Sequence, residues 1–167
     1  MIRSTLLLLI RNTMNLLPNN APIVVEALDG LLNEVHVYGQ NVQQLNWTPE
    51  LRHFQKLHLM LEPLHEASNM GTEMLASRMI DLGGHPNPQS QAIMARYVSP
   101  AMPVHTFSDA TRQVLHDSQQ LLEAIRETFE VATEYNDQAT IQLLVQAAHY
   151  IQHTIWTFGA LRSAILN

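Results

Sequence analysis

Four prolines fall within residues 85–107, at Pro86, Pro88, Pro100 and Pro103, and they cut the chain into two blocks of helical sequence. Proline lacks the amide proton that a helix interior needs, so this stretch reads as a long connection. A short helix around Gln89–Tyr97 is expected inside it. Before it, apolar residues recur at three- and four-residue intervals, from Val24 through Leu28, Leu31, Leu32, Val35 and Tyr38 to Val42, the spacing of one buried helix face. Thr48-Pro49-Glu50 reads as the cap, first residue and acidic first turn of a second helix that reaches Leu82. Gly83-Gly84 stops that helix, and Pro63 is expected to bend it. After the connection, Ser108-Asp109 is expected to cap a third helix carrying Val114, Leu121, Leu122, Ile125, Phe129 and Ala132. The chain turns near Asn136-Asp137 into a fourth helix with Ile141, Leu144, Val145, Ala148, Ile151, Ile155 and Phe158. Two tight hairpins joined by one long crossover make an all-α four-helix bundle.

At 167 residues, 46% hydrophobic and only 14% charged, the chain suits one domain with a sizeable core. Residues 20–167 are assigned to the bundle, and residues 1–19 to an N-terminal apolar helix or extension. The apolar run Leu6–Ile10 is too short for a signal sequence or a membrane span, so a cytoplasmic protein with no membrane partner is expected. The chain has no cysteine, which rules out disulfides and thiolate ligands. Any metal must therefore be held by oxygen and imidazole, and nine histidines are plentiful for this length. Net charge is −6 and Lys56 is the sole lysine, so direct DNA binding is not expected. Nucleophilic catalysis has no support, because neither a cysteine nor a serine motif is present.

One polar row stands out: Asn46, His58, Glu62, Glu73 and Ser77. At about 100° per residue, positions 58, 62, 69 and 73 share one side of the second helix. His58 and Glu62 lie one turn apart and can grip one metal ion together. Glu73 is about 22 Å further along at ~1.5 Å per residue, so it cannot join them within one chain. Either the row is a solvated face, or the helix lies antiparallel against its copy with the dyad near His65 and Glu66. His149 and His153, four apart on the fourth helix, can also clamp zinc or iron, although no third ligand is evident.

Several positions together resemble the Dps mini-ferritins, a branch of the ferritin-like proteins. They are Leu28-x-x-Leu31-Leu32-x-Glu34, Leu45-Asn46-Trp47, Leu57-His58, Ala76-x-Arg78 before Leu82-Gly83-Gly84, and Trp156. The resemblance implies a ferritin-like bundle with a short helix in its crossover, and a homo-oligomeric shell of twelve subunits. It further implies that ferrous iron binds between two-fold-related subunits, is oxidised mainly by hydrogen peroxide, and is stored as a ferric mineral. Carried over by position, the family's two histidines fall on Asn46 and His58, its first aspartate on Glu62, its second on Glu73, and its bridging glutamate on Ser77. Trp47 would lie near that site, and both Trp47 and Trp156 are expected to pack.

Ser77 has no charge with which to bridge two cations, and Asn46 offers an amide in place of an imidazole. His58, Glu62 and Glu73 remain the expected iron ligands, with zinc as a substitute ion. Glu62-x-x-His65, with Glu66 and Asn69 nearby, can make a compensating site nearer the dyad; alternatively, His65 and Glu66 are hydrogen-bonded interface residues. Glu127, Glu130, Glu134 and Asp137 would lie near a three-fold pore in such a shell and draw cations in. The other reading is a solvated helix end with Asp137 as N-cap. Two functions follow: an iron-oxidising, iron-storing protein of oxidative stress, or a non-catalytic shell whose metal site is silent.

Overall fold

The computed structural model describes residues 20–51, 54–87 and 104–166. The expected N-terminal apolar helix, the short helix at 89–97 and His53 lie outside the described residues. Four long helices account for nearly all the rest: α1 (Ala21–Trp47), α2 (Gln55–Asp81), α3 (Phe107–Glu134) and α4 (Gln138–Leu166). Their arrangement is the ferritin-like four-helix bundle. Helices α1 and α2 pair, α3 and α4 pair, and α1 packs on α3 to join the two hairpins.

Two contacts fix the direction of the crossover. Phe54, at the start of α2, packs on Phe107 at the start of α3 with ring centroids 5.4 Å apart. At the opposite end, Arg78 near the close of α2 reaches Asp137, just beyond the close of α3. The two helices therefore run parallel, with the end of α2 and the start of α3 at opposite ends of the bundle.

The core follows the apolar spacing. Val24, Leu28, Leu31, Leu32, Val35, Tyr38 and Val42 are all buried, facing Leu57, Leu61, Leu64, Leu75 and Met79 of α2. At Gly39 the two helices approach closely, and a Cβ there would land on the Ser68 hydroxyl. Pro63 sits within α2 without interrupting it. Three expectations fail. Val145 is exposed, and Trp47 and Trp156 are 70% and 69% exposed, so neither tryptophan packs within the subunit.

The helix ends explain the remaining differences. Helix α2 begins at Gln55 rather than Pro49, because Pro49–Leu51 form a 3-10 turn that drives Leu51 into the core. Thr106, not Ser108, caps α3: its hydroxyl accepts from the Asp109 N–H while the Asp109 carboxylate accepts from the Thr106 N–H. Helix α2 ends as expected on its glycines. Gly83 adopts φ 79°, the Gly84 N–H reaches Met79 O at 2.8 Å, and the Gly83 N–H reaches Ile80 O. Helix α3 closes in the same way with Asn136 at φ 55° in the left-handed position.

Candidate metal centre

The polar row of α2 lies as the helical spacing requires. Glu62, Glu73 and Ser77 are exposed, and His58 and Asn46 are half-buried. Among the described residues no three His, Asp or Glu side chains converge on one point. A single chain therefore does not assemble a closed ligand set.

Asn46 and His58 do come together, but as partners of one another. His58 Nδ1 lies 2.7 Å from Asn46 Oδ1, and His58 Nε2 lies 3.2 Å from the Leu51 carbonyl. That carbonyl lies at the end of the 3-10 turn and also accepts from the Phe54 N–H at 2.9 Å, so the His58 ring shares it with the main chain. The arrangement suits an imidazolium donating twice, or a neutral ring with the Asn46 amide turned to donate. In either state, neither nitrogen of His58 directs a lone pair outward. A metal ion at His58 must first displace one of these bonds.

His65 is held still more completely. Its Nδ1 faces Gly39 O at 3.2 Å, while Nε2 faces the Gln43 and Asn69 amide nitrogens, each at 3.3 Å. With the amides so oriented, the ring donates from Nδ1 and accepts at Nε2. The sequence offered His65 as a compensating ligand; in the subunit its lone pair already serves two amides. All of these bonds lie within one subunit, so they bear on neither the compensating ligand set nor a hydrogen-bonded contact across the two-fold axis. Glu66 remains exposed and raises the Tyr150 hydroxyl pKa, second to the effect of burial.

The acidic end of the bundle divides in two. Glu127, Glu130 and Glu134 are exposed. Asp137, expected at a cation entrance, points inward instead and is 1% exposed. It pairs with Arg78 Nη2 at 2.7 Å, accepts from the Thr140 N–H as N-cap of α4, and takes a short bond from the Thr140 hydroxyl. A carboxylate so engaged cannot line a pore.

A second buried carboxylate was not anticipated. Asp117 of α3 accepts from Gln113 Nε2 at 2.8 Å and from Asn41 Nδ2 of α1 at 3.1 Å. Beside it Tyr38 Oη meets Ser118 Oγ at 3.3 Å. Among the described residues Asp117 forms no ion pair, and burial pushes its carboxyl above the usual range, against the opposing pulls of the two amides and of the neighbouring His116. Burial also pushes the Tyr38 hydroxyl up to about 12. The available signal was Gln113 and Asp117 one turn apart on the side of α3 that carries Val114 and Leu121.

The ferritin-like domain family matches residues 25–165. A DNA protection during starvation protein of Porphyromonas gingivalis is 25% identical over 138 residues, covering 82% of this chain and 87% of its own. Its counterpart from Halobacterium salinarum is 29% identical over 152 residues, covering 82% and 83%. The Vibrio cholerae Dps crystal structure superposes with a TM-score of 0.79 at 19% identity, covering 89% of this chain and 96% of that one. Bundle, crossover and matched span together place the chain in the ferritin-like family, among the Dps mini-ferritins.

Proposed function

We propose that this chain is the subunit of an iron-storing mini-ferritin shell, a dodecamer of cytoplasmic location, with ferrous iron as its substrate and ferric mineral as its cargo. The observation that supports this reading is the exposed row on α2: His58 and Glu62 sit one turn apart, and Glu73 lies on the same face but out of their reach. An antiparallel α2–α2 contact would bring Glu73 of the partner subunit to His58 and Glu62. Imidazole and two carboxylates suit ferrous iron. Hydrogen peroxide would then take one electron from each of two ferrous ions and, with two protons from solvent, leave as two waters. The exposed Glu130 and Glu134 would draw cations toward the shell. Direct DNA binding is not part of the proposal, since Lys56 is the sole lysine.

A second reading has an observation of its own. Both nitrogens of His58 are engaged within the chain, and Ser77 stands where a bridging carboxylate would be needed. This favours a shell that assembles but oxidises iron slowly or not at all.

One experiment separates the two. Ferrous iron and peroxide are added to purified protein, and ferric absorbance and iron retained on gel filtration are followed. Storage predicts retained iron, with turnover falling when Glu73→Ala is introduced. Asn46→His, which supplies a second imidazole, should accelerate oxidation. Iron retention no better than buffer, in a protein that still elutes as a large oligomer, would leave only the silent shell.

A further inference from the structure

Helix α4 carries no Asp, Glu, Lys or Arg between Gln138 and Leu161, and its only imidazoles are His149 and His153. Both are exposed. They are four residues apart, so their Cα atoms lie about 40° and ~6 Å from each other along one helix face. Neither ring makes a hydrogen bond or an ion pair among the described residues. In this they differ from His58 and His65, whose nitrogens are all engaged.

A further contact orients one of the pair. The His153 ring lies against Trp156 with centroids 5.9 Å apart and planes inclined by 23°. Stacking uses the faces of the two rings and leaves the imidazole edge, where both nitrogens sit, free for a ligand. Trp156 is itself 69% exposed, so this platform stands at the surface of the subunit.

We propose that His149 and His153 form a surface site for a divalent transition ion, separate from the α2 row. Two imidazoles one turn apart on a helix supply a nitrogen pair of the spacing used by helical zinc sites, and water completes the coordination. No carboxylate stands on this stretch of α4, so the donor set is all nitrogen. That selects copper(II), nickel and zinc over calcium or magnesium, with copper(II) bound most tightly. Ferrous iron stands low in the same order and binds here weakly.

The site has a built-in reporter. An ion on His153 sits beside the Trp156 indole, and copper(II) quenches indole emission. Trp47→Phe leaves Trp156 as the sole tryptophan, and copper(II) is titrated into this otherwise intact protein at about pH 7.5, with neither iron nor peroxide present. Saturable quenching is expected, with zinc competing for the same site. His149→Gln should weaken the copper titration by about tenfold or more. The double variant with His153→Gln should abolish it, while the melting curve of these exposed positions stays unchanged. Quenching of equal depth and midpoint in the double variant would put the copper on other histidines and overturn the proposal. So would an absence of quenching in the parent. Because the readout needs no iron chemistry, either result leaves the storage reading to its own test.

Discussion

Asp117 and Asp137 are both buried aspartates, and they face opposite circumstances. Asp137 closes the α3–α4 turn with the Arg78 guanidinium at 2.7 Å and a threonine at its other flank. Asp117 sits between α1 and α3, bonded to two neutral amides and in no ion pair among the described residues. The first holds elements together across the end of the bundle. The second is tolerated because Gln113 and Asn41 replace the hydrogen bonds of water but not its dielectric. Burial alone therefore does not define what a carboxylate contributes; the identity of its donors does.

The largest test of that contrast is Arg78→Ala. It strands Asp137 without a partner and should cost about 3–5 kcal/mol in denaturant unfolding. Asn136→Ala attacks the same turn through the backbone. At φ 55° an alanine is strained by about 1 kcal/mol, and the Gln138 bond to the Asn136 side chain is lost as well. Asp117→Asn should act with the opposite sign, raising the melting temperature at neutral pH. The folded state holds the Asp117 proton more tightly than the unfolded chain does. Stability therefore falls as pH rises from the ordinary carboxylate value through the raised one. The variant lacks that slope, so its advantage should vanish in acid. If Asp117→Asn is as damaging as Arg78→Ala, the distinction between the two aspartates collapses.

Asp109 supplies the smallest effect and a control of sign. It is exposed to solvent, and the Thr106 hydroxyl bond leads the contacts that hold its carboxyl below the usual range. Its contribution is present above the ordinary carboxylate value and is lost as pH falls through the lowered one. Asp109→Ala should flatten the acid limb of the stability profile, where Asp117→Asn flattens the limb above it.

The sequence was most informative where periodicity decides. The seven apolar positions of α1 from Val24 to Val42 are all buried, and Gly83-Gly84 ends α2 as expected. Legibility failed where two elements compete for one residue. Leu51 looked like the first turn of a helix, but it belongs to a 3-10 turn that buries it in the core, and the helix starts only at Gln55. The candidate site shows the same limit. Spacing correctly put His58, Glu62 and Glu73 on one face of α2. It could not reveal that Asn46 and a main-chain carbonyl occupy the His58 ring, because that depends on where the turn places the Leu51 oxygen. Nor can spacing distinguish histidines that are already engaged from those that are free, as on α2 and α4.

The uncharged stretch of α4 has a practical corollary. Salt acts on proteins largely by screening fixed charges, and from Gln138 to Leu161 there are none to screen. Raising the ionic strength should loosen the Arg112–Asp109 and Arg126–Glu123 pairs on α3 while leaving the exposed flank of α4 unmoved.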